Sequence, residues 1–153
     1  MQRICFVCTG NICRSPMAEF LFRDLAQRAG LGGAFSVASA AVSAEELGNP
    51  VYPPARRILA AHGIDCRGKT ARQLRPQDAE AFDLFVGMDD SNLRGMRRIL
   101  GPAAQGRIHL LLEYADRPGQ EVADPWYTGD FAAAWADIAA GCEGLLRALS
   151  PTR

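Results

Sequence analysis

The sequence predicts a single-domain α/β fold, a three-layer α/β/α arrangement with a four-stranded parallel twisted sheet and helices on both faces. Three observations carry that prediction. Four short apolar runs alternate with segments of helical character. Strands that alternate with helices in this way pair in parallel and are covered on both sides. At 153 residues the chain can bury a substantial core, since a domain near this size hides roughly 70% of its unfolded surface. No repeat, low-complexity tract or linker divides it, so residues 1–153 read as one domain.

The elements follow in order. Arg3–Val7 is a short apolar strand. Ser15 can cap the helix after it, with Pro16 at its first position and Glu19 suited to the N-terminal dipole. That helix runs through Phe20, Leu21 and Leu25 to a stop at Gly30, Gly32 and Gly33. Phe35–Ser39 reads as the second strand. Pro53 and Pro54 open a helix to Ala61, with Gly63 after His62 closing it. A short helix is predicted over Arg75–Ala81, a buried strand over Asp83–Gly87, and a helix over Ser91–Leu100 that ends at Gly101-Pro102. Ile108–Leu112 is the fourth strand, and a long loop spans Asp116 to Asp130. The last helix, Phe131–Leu149, places Phe131, Trp135, Ile138, Cys142, Leu145 and Leu149 at helical spacing.

Seventeen basic and seventeen acidic residues balance, so no global field draws the chain to nucleic acid or to a membrane surface. Anion recognition, if present, must be local. No run approaches the ~18 apolar residues of a membrane span, and no signal-peptide pattern precedes the first strand. Membrane insertion is therefore not expected. Five cysteines without an export signal read as reduced thiols, and the expected location is cytoplasmic.

The chemistry concentrates in Cys8-Thr9-Gly10-Asn11-Ile12-Cys13-Arg14-Ser15-Pro16. The segment follows the first strand and runs into a helix start. In open parallel sheets that end of a strand is where ligands bind. A tight loop leading into a helix N-terminus directs backbone N–H groups at an anion. Gly10 is expected to supply the unusual backbone angles. Arg14 adds a planar fork for phosphate oxygens. The same field favours a thiolate at Cys8, and Ser15 could donate a hydrogen bond to it. A thiolate beneath a bound phosphate is placed for in-line attack and a cysteinyl-phosphate. The leaving group then needs a proton, for which Asp124, beside Pro125, Trp126 and Tyr127, is the candidate. Taken alone, Asp124 reads more readily as a turn former before proline, the commoner case for an Asp-Pro pair. Cys5 and Cys8 spell C-x-x-C, but residues three apart on a strand face opposite sides, which puts Cys5 in the core.

The loop through Glu19, together with Gly48-Asn49-Pro50, Met88-Asp89-Asp90-Ser91-Asn92-Leu93 and Asp124-Pro125-Trp126-Tyr127, resembles the low-molecular-weight protein tyrosine phosphatases over nearly the whole chain. The resemblance implies Cys8 as nucleophile, Arg14 as binder of phosphate and transition state, and Asp124 as general acid. It implies that residues Thr9 to Arg14 bind the phosphate, that Asn11 braces the loop, that Ser15 supports the thiolate, and that Asp89 helps hold the active-site loops. Asp89 and Ser91 also sit where capping residues of a helix would. No metal and no organic cofactor are implied, and His62 and His109 form no ligand-like cluster.

At position 12 an apolar residue goes with phosphotyrosine in the resembling family and a threonine with phosphoarginine. Ile12 therefore favours phosphotyrosine. The expected substrate pocket is Ile12, Leu47, Trp126 and Tyr127, and the acidic pair Glu45-Glu46 suggests substrates with basic flanks. The resemblance also implies a reversible Cys8–Cys13 disulfide. By analogy, the partner is a phosphotyrosine protein or peptide, with a bacterial tyrosine kinase as a candidate. Three other activities compete: a phosphoarginine phosphatase, a thiol-dependent arsenate reductase and a non-catalytic phosphate-binding module. The reductase needs relay cysteines, and Arg67 to Gly141 contains none. The binding module would not need both Cys8 and Asp124.

Overall fold

A computed structural model describes residues 1–150. Four strands, β1 (Gln2–Cys8), β2 (Phe35–Ala41), β3 (Leu84–Gly87) and β4 (Ile108–Leu110), form one sheet in the order β2-β1-β3-β4. Every pairing is parallel. Six α-helices are interleaved among the described residues: α1 (Arg14–Arg28), α2 (Pro53–Ala61), α3 (Asp78–Ala81), α4 (Asp90–Leu100), α5 (Pro125–Thr128) and α6 (Phe131–Leu149). The chain leaves β1 for β2 on one side and later crosses to β3 on the other. The end of β1 is thus the switch point where such sheets open a crevice.

Alternation along β1 divides the core. Ile4, Phe6 and Cys8 point to one face, packed with Met17, Phe22, Leu59, Ile138 and Leu145. Cys5 and Val7 point to the other, packed with Leu93, Met96 and Leu100 of α4. Cys5 and Cys8 therefore lie on opposite sides of the sheet, as the C-x-x-C spacing on a strand requires. On α6, a side chain at position 144 would run into the Tyr114 carbonyl, so the helix can seat only with Gly144 there.

The departures from expectation are local. β4 is three residues long, because Leu111–Ala115 closes into a 3₁₀ helix with Leu110 N–H donating to the Glu113 carboxylate at 3.2 Å. The short helix predicted over Arg75–Ala81 narrows to Asp78–Ala81, since the Asp78 carboxylate takes the Arg75 N–H at 2.8 Å and holds the preceding residues in a turn. The loop from Asp116 to Asp130 contains α5. Ser15 does not cap α1: Cys13 is the capping residue, Arg14 opens the helix, and Pro16 is its third residue.

Candidate active site

β1 delivers Cys8 to the carboxyl end of the sheet and α1 begins at Arg14, so residues 9–13 must turn within five residues. The left-handed residue of that turn is Asn11, at φ 60°, a conformation asparagine tolerates better than most side chains. Gly10 is not in that region. Its lack of a side chain provides space instead, since a Cβ there would stand 3.3 Å from Glu46 Cγ.

Three donors converge on Cys8 Sγ: the Asn11 N–H at 3.3 Å, the Ser15 N–H at 3.4 Å, and the Ser15 hydroxyl at 2.9 Å. The Ser15 N–H lies in the first turn of α1, where backbone donors have no helical acceptor. The direction of the hydroxyl bond follows from its neighbours. Asn11 Oδ1 accepts the Arg72 N–H at 3.1 Å, which fixes the amide orientation. Asn11 Nδ2 then donates to Ser15 Oγ at 2.8 Å and to Ser39 Oγ at 2.9 Å, using both hydrogens. Ser39 donates to Glu19 Oε1 at 2.5 Å. Ser15 Oγ, already an acceptor, directs its own hydrogen at Cys8 Sγ. This is the geometry that suits a thiolate.

Glu19 lies beyond the first turn of α1 and is 5% exposed. Instead of facing the helix dipole, it anchors this network, held by Lys69 Nζ at 3.3 Å and Arg23 Nη2 at 2.8 Å. Ser39 and Lys69 were invisible in sequence. A serine on a strand and a lone lysine carry no motif, and only the fold brings them to Asn11.

Arg14 is 1% exposed. Its Nη1 donates to Asp89 Oδ2 at 2.8 Å and to the Val122 carbonyl at 2.8 Å. Its Nη2 has only longer contacts, 3.3 Å to Asp124 Oδ2 and 3.5 Å to Thr9 Oγ1. Nη2 is thus the nitrogen open to a new acceptor. Burial alone would lower the Arg14 pKa, but the negative charge at Cys8, the Asp89 bond and Asp124 raise it overall, so the group stays cationic.

Asp89 divides its carboxylate between two tasks. Oδ1 accepts the Asn92 N–H at 2.9 Å and caps α4, while Oδ2 holds Arg14. Asn92 completes the capping box and reaches Thr9 Oγ1 at 3.3 Å. The Asp124 segment is pinned by Val122, whose N–H donates to the Met88 carbonyl at 2.8 Å. Asp124 Oδ1 caps α5 through the Trp126 N–H at 3.1 Å, leaving Oδ2 toward Arg14.

One pocket joins these parts. Cys8, Thr9, Gly10, Ile12, Cys13 and Arg14 line it together with Asp124, Trp126 and Tyr127. Leu47 is not among its walls. It is 52% exposed, because the turn over residues 45–48 rolls it outward, and Glu45 and Glu46 line the pocket in its place. Tyr52, outside the sequence-predicted set, buttresses the aromatic wall: its ring lies 4.9 Å from that of Trp126 and its N–H donates to the Ile12 carbonyl at 2.9 Å. Cys13 is buried in the loop as a free thiol. Burial, reinforced by the Cys8 charge, pushes its pKa up to about 12.

Comparison with known proteins agrees with this geometry. Residues 3–153 match the family model described as low molecular weight phosphotyrosine protein phosphatase. The low molecular weight protein-tyrosine-phosphatase YfkJ of Bacillus subtilis is 41% identical, over 97% of this chain and 96% of that protein. Its crystal structure superposes with a TM-score of 0.93, covering 97% of this chain and 94% of that one. The structure of SP-PTP, a low molecular weight protein tyrosine phosphatase from Streptococcus pyogenes, is 33% identical with a TM-score of 0.88, over 99% and 95% of the two chains. DARP, a Drosophila arginine phosphatase, is 31% identical with a TM-score of 0.88 over 100% of both chains.

Proposed function

We infer that this chain, which belongs to the low molecular weight phosphotyrosine protein phosphatase family, hydrolyses phosphotyrosine through a cysteinyl-phosphate formed on Cys8. The observation that carries the assignment of roles is the convergence of Cys8, Arg14 and Asp124 on one pocket, with the Ser15 hydroxyl directed at the sulfur. The substrates are phosphoproteins.

The phosphate enters over the 9–14 loop and takes Arg14 Nη2, the nitrogen with the longest contacts. It thereby competes with Asp124 for that nitrogen and leaves Asp124 facing the leaving oxygen. Cys8 Sγ attacks phosphorus in line, the P–O bond to the phenol breaks, and Asp124 gives that oxygen its proton. Negative charge developing on the equatorial oxygens is met by loop amides and Arg14. In the second step Asp124, now a carboxylate, takes a proton from water as it attacks the cysteinyl-phosphate. The S–P bond breaks, inorganic phosphate leaves, and the Ser15 and Asn11 donors stabilise the departing thiolate. Asp89, Asn11 and Ser15 position these groups, and Cys13 is the partner for reversible oxidation of Cys8.

Ile12 presents apolar surface in the pocket and gives a guanidinium no hydrogen-bond partner, which favours an aromatic substrate. Trp126 and Tyr127 add the aromatic wall. A bacterial tyrosine kinase is the proposed partner class. A cytoplasmic location accords with five free thiols. The deciding experiment measures kcat/KM for phosphotyrosyl and phosphoarginyl peptides of otherwise equal sequence, with Cys8→Ser as control. The phosphotyrosyl peptide is the better substrate and Cys8→Ser abolishes turnover of both. A much better phosphoarginyl substrate overturns the substrate assignment, and turnover by Cys8→Ser overturns the mechanism.

A further inference from the structure

We propose that Glu45 and Glu46 make this pocket select phosphotyrosines flanked by basic residues, an inference that rests on the phosphotyrosine reading above. Both carboxylate side chains line the pocket that holds Cys8 and Arg14. Glu46 Cγ packs over Gly10, 3.3 Å from where a Cβ would stand, so its stem rests on the phosphate loop itself.

The acidic turn is fixed in place. Ser43 Oγ accepts the Glu45 N–H at 3.0 Å, and the Glu46 carbonyl accepts the Asn49 N–H at 3.0 Å. Its two ends are stapled to neighbouring loops: Val42 N–H donates to the Cys8 carbonyl, Ser43 N–H to the Thr9 carbonyl, and Gly48 N–H to the Ala71 carbonyl. The turn therefore keeps both glutamates beside the phosphate site.

Neither carboxylate has an ion-pair or hydrogen-bond partner among the described residues. The pocket's charge is lopsided. Arg14 is the one cation in its walls, against the carboxylates of Glu45 and Glu46. Arg14 is moreover bonded to Asp89 and in contact with Asp124. A phosphotyrosyl dianion must settle into this surplus of negative charge. A lysine or arginine beside the phosphotyrosine relieves the repulsion, and an acidic neighbour adds to it. The carboxylates are solvent-facing, so each acts across water-like dielectric. Two together are worth on the order of three- to tenfold in kcat/KM over a neutral flank.

The test compares three phosphotyrosyl peptides that differ only in flanking Lys, Ala or Glu, assayed with wild type, Glu45→Gln/Glu46→Gln and Glu45→Lys/Glu46→Lys. Wild type favours the Lys peptide in kcat/KM by about that factor. The glutamine variant flattens the series and the lysine variant favours the Glu peptide. The wild-type preference also shrinks at high salt, as the Debye length falls from ~10 Å at 0.1 M to ~3 Å at 1 M. Equal kcat/KM for the three peptides at low salt overturns the inference, as does a Lys preference that survives both double variants. Those results leave the phosphatase assignment standing. Absence of turnover of all three peptides by wild type would instead remove the reading beneath it.

Discussion

Replacement of Asp124 by asparagine separates proton delivery from structure, because Asp124 uses its two oxygens differently. Oδ1 caps α5 through the Trp126 N–H, and Oδ2 faces Arg14 Nη2 at 3.3 Å. Asparagine keeps an oxygen for the cap and is as good a capping residue. The lost charge–charge contact is long and partly exposed, and Arg14 retains Asp89 and Val122. Such a contact contributes less than ~1 kcal/mol, which at this chain length moves Tm by at most about 2–4 °C. The kinetic effect is much larger. Positioned acid catalysis is worth ~10²–10⁴-fold, or about 2.7–5.5 kcal/mol of barrier. That loss applies in full where the leaving phenol is as poor as tyrosine, with a pKa of ~10, and shrinks for a nitrophenolate that departs unaided. The assay is single-turnover release of phenols of graded acidity by wild type and Asp124→Asn. The variant loses ~10²-fold or more on phenyl phosphate and far less on para-nitrophenyl phosphate, with Tm nearly unchanged. Equal losses across the series would refute the acid role of Asp124.

Two further outcomes follow from the loop. Asn11→Gly accommodates φ 60° but deletes the three amide hydrogen bonds, whereas Asn11→Ala deletes them and also bears the left-handed backbone. Thermal melts place Asn11→Ala about 1 kcal/mol below Asn11→Gly, and an alanine variant as stable as the glycine one contradicts the strained position of Asn11. Mild peroxide followed by peptide mass spectrometry yields a Cys8–Cys13 disulfide, reversed by dithiothreitol. Cys13 is a neutral thiol at neutral pH, with its pKa pushed up to about 12, so Cys8 oxidises first; that oxidation removes the Cys8 charge, one of the causes that hold Cys13 protonated. In Cys13→Ser the same treatment drives Cys8 to irreversible sulfinic acid. Cys13 recovered as a free thiol in the oxidised wild type would contradict this pairing.

The sequence disclosed those parts of the site whose chemistry sits in one short segment. Cys8, Arg14 and the loop between them are contiguous, and the Asp-Pro-aromatic group at 124–127 is compact. Parallel topology was legible because apolar runs and helical segments alternate cleanly. What sequence missed depends on non-local contact or on a single dihedral. Ser15 looked like a helix cap, but the helix starts two residues before the predicted Pro16 and the Ser15 hydroxyl turns to Cys8. Gly10 looked like the residue with unusual angles, yet Asn11 takes the left-handed conformation and Gly10 makes room for Glu46. Leu47 looked like a wall by hydrophobicity, but the turn that carries it leaves it exposed and puts Glu45 and Glu46 at the pocket's rim. Ser39, Glu19 and Lys69 come from three separate segments and meet only once β2 lies beside β1.

The proposed mechanism requires Cys8 to carry the phosphoryl group during turnover. Acid quenching of the enzyme within the first turnover of para-nitrophenyl phosphate, followed by peptide mass spectrometry, tests it directly. Phosphate is expected on the peptide containing Cys8, attached through sulfur, and none in Cys8→Ser. Turnover without any phosphoenzyme, or with phosphate on another residue, would contradict it.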